Sequence, residues 1–190
     1  MPNKVIFLGD AGVGKTKVIQ RYICGKFDNV TKPTLVMDNA SISVRVDNQN
    51  VPLEVWDTAG QEAYRSIVLT YLRNVSLAVL MFDVSNNVTF TNVDEWYKLI
   101  RAHSTPDCPI ILVGNKYDLF KDQINLEDVE VWITDHNAKL AYTSALSGEG
   151  INELFHEIAS TILDSTIQEA ASYNIKVTDN KNKGNSDCSC

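Results

Sequence analysis

Apolar runs that alternate with helix-spaced segments predict an α/β protein: a doubly wound, mostly parallel sheet with one antiparallel edge hairpin and helices on both faces. Three observations carry this. Leu77–Phe82 and Ile110–Val113 are continuous apolar runs, as in parallel strands covered on both faces. Ile42, Val44 and Val46, then Val51, Leu53 and Val55, recur at every second residue, which is the period of strands with one wet face. Ile151, Leu154, Phe155, Ile158 and Ile162 follow helical spacing.

The elements follow in order. Lys4–Leu8 is a short apolar strand, ended by a glycine-rich turn and followed by a helix from Lys15 to about Gly25. The turn cluster Asp47-Asn48-Gln49-Asn50 joins the two alternating strands into a hairpin. Phe90, Val93, Tyr97 and Ile100, with Trp96 beside them, mark a helix after the strand Leu77–Phe82. Asn125 and Asp128 form an N-cap pair for a helix opening near Leu126. Beyond about Gln168 the apolar pattern stops. Three lysines and three acids cancel there, so residues 1–167 are expected to form the domain and 168–190 a flexible tail.

Composition bounds the function. Of 190 residues, 44 % are hydrophobic and 22 % charged, which excludes disorder for the bulk of the chain. A net charge of −7 argues against nucleic-acid binding, which needs a basic footprint. The longest apolar run, Leu77 to Phe82, is far short of the roughly 20 residues that span a bilayer. Only Val5–Leu8 precedes Asp10, so no signal peptide and no secretion are expected. On that ground the N-x-[ST] matches at Asn29, Asn39, Asn74 and Asn87 are set aside. Cys24 and Cys108 read as small buried thiols, and His103, His136 and His156 show no zinc-ligand spacing.

Three motifs carry chemistry. Gly9-Asp10-Ala11-Gly12-Val13-Gly14-Lys15-Thr16 fits G-x-x-x-x-G-K-[ST] between a strand and a helix. Its glycines let successive N–H groups face a phosphate, and the helix adds its free N–H groups and positive dipole end. Lys15 supplies charge for the β- and γ-phosphates, and Thr16 a hard oxygen for Mg²⁺. Asn115-Lys116-Tyr117-Asp118 follows a strand's carboxyl end, where ligands bind in open α/β sheets. A carboxylate there accepts from N1–H and the 2-amino group of guanine; adenine offers neither and would leave the charge desolvated and unpaired. Trp56-Asp57-Thr58-Ala59-Gly60-Gln61-Glu62 ends the second hairpin strand. Asp57 can hold a metal through water, Gly60 allows close backbone approach to a γ-phosphate, and Gln61 can orient an attacking water.

These boxes, in this order over roughly residues 3–165, resemble the Ras superfamily of small GTPases, and within it the Rab branch. Trp56 to Ile67 is similar to the Rab phrase W-D-T-A-G-Q-E-x-[FY]-R-S-I, and the Thr34-to-Asp57 span matches Rab spacing, one residue longer than in Ras or Rho proteins. Cys188-Ser189-Cys190 resembles a Rab C-x-C end, and no room exists between Asp118 and Leu126 for the extra Rho helix. The resemblance implies a P-loop NTPase G domain with a six-stranded sheet. It implies that Thr34 completes Mg²⁺ coordination with Thr16 and Asp57, and that Phe27 packs on the guanine edge. Ala11, Gly12, Val13 and Gly14 would line the phosphates, and Lys17 would offer its backbone N–H to the α-phosphate. Lys116 would lie along the base, and Ser144, Ala145 and Leu146 would form the third base-contacting loop.

It further implies a monomeric GTP/GDP switch in vesicle trafficking, with Gln61 catalytic, and an exchange factor, a GTPase-activating protein and effectors on switches I and II. Prenyl-delivery and GDI-type extraction proteins would act on a tail lipidated at Cys188 and Cys190, on the cytoplasmic face of an intracellular membrane and cycling with the cytosol. Three departures bear on this. Ala11 stands where Gly or Ser is usual and crowds Gln61, Leu146 replaces the usual Lys, and Leu35-Val36-Met37-Asp38-Asn39 replaces the Rab I-G-x-D-F. Ala11 keeps open a second reading, a GTP-loaded scaffold with negligible turnover. An ATP-using kinase or ATPase would leave Asn115–Asp118 without a task.

Overall fold

The computed structural model describes residues 2–28, 38–58, 65–121 and 123–182. Six strands form one sheet: β1 (Asn3–Leu8), β2 (Asp38–Val46), β3 (Gln49–Asp57), β4 (Leu77–Asp83), β5 (Ile110–Asn115) and β6 (Lys139–Thr143). Their spatial order is β2-β3-β1-β4-β5-β6, and only the β2–β3 pair is antiparallel. The hairpin turns on Asp47 and Asn48, both at positive φ (44° and 64°), so the strands close through a two-residue turn of the kind that matches strand twist. Asx residues tolerate that backbone, which is why the polar cluster sits there.

The helices are α1 (Lys15–Cys24), α2 (Arg65–Tyr71), α3 (Asn87–Thr91), α4 (Val93–His103), α5 (Leu126–Asp135) and α6 (Ile151–Asn182). They cover both faces. Val5 and Phe7 of β1, with Leu77, Val79 and Met81 of β4, pack against α1 and α6 through Val18, Ile19, Leu154, Phe155 and Ile158. The intervening Ile6, Leu8, Ala78, Leu80 and Phe82 pack against α2, α4 and α5 through Val68, Trp96, Ile100, Val129 and Trp132. The strand period of two divides each run between two cores, which is why the runs are apolar throughout.

Asn125 caps α5 as expected: its side chain accepts from the Glu127 N–H. Three expectations change. The helix read from Phe90 to Ile100 is two segments, α3 and α4, meeting at Asn92. Cys24 is exposed, unlike buried Cys108, because it closes α1 on the side away from Val18, Ile19 and Tyr22. The backbone beyond 167, expected as a flexible tail, is helical to Asn182. The apolar stripe ended near Gln168, but backbone helix propagates through good formers such as Glu169, Ala170 and Ala171 without needing that stripe. Cys188 and Cys190 lie outside the described residues. No described helix is long and apolar enough to cross a membrane.

Candidate functional site

The carboxyl ends of β1, β3, β4 and β5 converge on one edge of the sheet. From β1 the chain enters the glycine-rich loop, and Gly14 at its end has φ 103°. A Cβ on Gly14 would lie 2.2 Å from Asn115 Nδ2, so only glycine admits the close approach of this loop to the end of β5. Val13 is fully buried, whereas Ala11 and Gly12 face outward at the loop's mouth.

Lys15 opens α1 and is 95 % buried. Its ammonium donates to the carbonyls of Gly9 (2.7 Å) and Asp10 (2.9 Å). Burial pushes its pKa down to about 8, with Asp57 and Asp10 pulling the other way. One residue on, Thr16 Oγ1 donates to Asp57 Oδ2 at 2.5 Å. Asp57 Oδ1 is buried with no hydrogen-bond partner among the described residues, and burial raises the carboxyl's pKa despite Thr16 and Lys15. An orphaned carboxylate oxygen beside a hydroxyl is a hard-oxygen pair short of one ligand, and it suits a small divalent cation. The adjacent Thr58 is anchored by donating to the Phe7 carbonyl at 2.6 Å.

Asn115 braces the site. Its Nδ2 donates to the Val13 carbonyl at 2.7 Å, and its Oδ1 accepts from Thr143 Oγ1 at 3.0 Å. Lys116 adopts a left-handed backbone (φ 63°) that turns the chain into the 3-10 turn Tyr117–Leu119, which carries Asp118. Ser144 Oγ donates to Asp118 Oδ1 and itself accepts from the Ser147 N–H, so the loop after β6 holds the carboxylate. Ala145 is buried beside it, and Leu146 is 55 % exposed. On the other side Lys17 Nζ donates to the Asp28 carbonyl at 2.7 Å and lies 5.8 Å from the Phe27 ring centre.

Candidates from four distant segments thus meet at one sheet edge: 11–17, Asp57, 115–118 and 144–146, with Phe27 tied to Lys17. Thr34, Gly60 and Gln61 lie outside the described residues. One participant was not singled out from sequence. Asp83 ends β4 and takes the Lys116 ammonium at 2.6 Å, along with the N–H and hydroxyl of Ser85. The signal existed: a polar residue closing an apolar parallel strand, as Asp57 and Asn115 close theirs.

The Ras family model matches residues 4–164. The chain is 38 % identical over 160 residues to the Ras-related protein RABA1g of Arabidopsis thaliana, covering 84 % of this chain and 74 % of that one. The Ras-related protein RABA1f of the same plant is also 38 % identical, over 160 residues. The Ras-related protein Rab11B of Nicotiana tabacum is 35 % identical over 168 residues, or 88 % of this chain and 77 % of its own.

Proposed function

The chain belongs to the Ras family and is a Rab-type small GTPase, and on that premise we propose that this sheet edge holds the guanine nucleotide and hydrolyses GTP. The observation that supports it most is Asn115, which touches the phosphate loop through Val13 and the third base loop through Thr143. One side chain thereby fixes the distance between the phosphate cradle and the base cradle.

The division of labour follows the chemistry. Backbone N–H groups of Ala11, Gly12, Val13, Gly14 and Lys17 take the phosphate oxygens, and the Lys15 ammonium adds its charge. Asp118 accepts from the guanine N1–H and 2-amino group, and Ser144 holds it in place. Ala145 offers its N–H to the base carbonyl, while Leu146, Lys116 and Phe27 cover the base. Thr16, Asp57 through a water, and Thr34 would hold Mg²⁺, which when bound neutralises charge developing on the β- and γ-phosphate oxygens. Gln61 orients the attacking water, and Gly60 meets the γ-phosphate.

The product that matters is a change of shape. A γ-phosphate orders the segments around Thr34 and Gly60, and its loss releases them. Those segments are the surfaces we assign to an exchange factor, an activating protein and effectors in vesicle traffic. Cys188 and Cys190 are the prenyl acceptors in this reading, delivered and extracted by prenyl-delivery and GDI-type proteins at the cytoplasmic face of an intracellular membrane. Residues 1–167 carry the switch and 168–190 link it to the membrane.

The test is single-turnover phosphate release from the GTP-loaded protein. Unaided turnover on the order of 10⁻⁴ s⁻¹ is expected, with Gln61→Leu slower still at unchanged GTP affinity. Equal rates for the two would remove Gln61 from catalysis. A wild-type rate indistinguishable from zero would favour the scaffold reading, with Ala11, exposed at the loop's mouth, as its cause.

A further inference from the structure

Asp10 is the acidic residue of the loop 9–16, where a carboxylate opposes the binding of a polyphosphate. Its geometry resolves the conflict. Asp10 Oδ2 accepts from Asn92 Nδ2 at 2.7 Å, and Oδ1 accepts from the Trp96 indole Nε1–H at 2.9 Å. Both donors come from the junction of α3 and α4, and Trp96 is only 2 % exposed. The charge is therefore spent on two charge-assisted bonds to a different element. The other end of the same residue does different work: its backbone carbonyl, with that of Gly9, holds the Lys15 ammonium.

We propose that Asp10 is a positioning residue: clamped by Trp96 and Asn92, it fixes the backbone so that the carbonyls of Gly9 and Asp10 hold Lys15 toward the phosphates. The clamp makes nucleotide retention depend on α4, an element that carries none of the candidate nucleotide-binding residues. It rests on the guanine-nucleotide reading above and adds to it a residue outside the ligand-contacting set. Trp96→Phe removes the N–H while keeping an aromatic ring in the core. Asn92→Ala removes the second donor from a side chain that makes no cap on α4.

The experiment uses the full chain loaded with GDP and Mg²⁺, following GDP dissociation, the ³¹P resonance of the bound β-phosphate and the melting temperature. Trp96→Phe, Asn92→Ala and Asp10→Ala should each release GDP faster, by about tenfold for the indole bond. Each should also move the β-phosphate resonance. Adding Trp96→Phe to Asp10→Ala should accelerate release little further, because Asp10→Ala already removes the acceptor of the indole N–H. A purely structural role would lower the melting temperature and leave the resonance and the release rate where they were. That result, or independent multiplication of the two effects, overturns the clamp. An unaltered chain that binds no GDP would instead overturn the nucleotide reading, and the clamp with it.

Discussion

Thr16 Oγ1 bonds to one oxygen of Asp57 at 2.5 Å, while the other Asp57 oxygen, buried beside it, has no hydrogen-bond partner among the described residues. A buried carboxylate oxygen left bare costs on the order of 1–3 kcal/mol or more, and a divalent cation bound there would remove that cost. Asp57→Asn should release GDP about 10- to 100-fold faster in Mg²⁺. A chelator should accelerate release from the native protein and do nothing more to the variant. Equal chelator sensitivity in both would place the metal elsewhere.

Lys15 predicts a pH dependence with a definite sign. In the free protein burial holds its pKa at about 8 instead of 10.5, and a bound phosphate anion favours the ammonium. Below about 8 the free protein already carries the charge; above it, GDP binding must take up a proton. GDP affinity should therefore fall by up to about tenfold per pH unit above this point. Folding stability of the free chain has the opposite sign. The unfolded chain holds the Lys15 proton up to 10.5, so this lysine's contribution rises with pH between about 8 and 10.5. Isothermal titration from pH 7 to 9.5 measures the first effect, and a flat profile would contradict it.

Asp83 acts on the base side through Lys116. Burial opposes its charge, but the Lys116 ammonium and two bonds from Ser85 outweigh that and hold the carboxyl below its ordinary pKa. Asp83→Asn should weaken GDP binding about tenfold, the scale of one hydrogen bond to a charged group. Combined with Lys116→Met, the two losses should not add, because both remove the same tether. Additive losses would make Asp83 a residue of the strand and nothing more.

Most of this site was legible in the sequence because its motifs are local: a glycine run before a helix, or polar residues closing an apolar strand. The double winding was legible too, since parallel strands buried on both faces must be apolar without alternation. What stayed hidden was pairing across the chain. Nothing near Asp10 in sequence points to Trp96, 86 positions on, and nothing near Lys116 points to Asp83. The helical backbone from Gln168 to Asn182 leaves no apolar stripe in the sequence, because helical backbone bonds need none. Cys24 was misplaced because burial depends on which side of α1 a residue falls, and composition carries no such information.

In the proposed reading Asp118, held by Ser144, selects guanine by accepting from its N1–H and 2-amino group. The direct measurement is parallel titration of GDP, XDP and ADP against the native protein and Asp118→Asn. The native protein should prefer GDP strongly over both. In the variant an amide donor now faces the base, so GDP should lose at least about tenfold while XDP gains, reversing the order. Unchanged GDP affinity in Asp118→Asn would remove Asp118 from the base site and contradict the account.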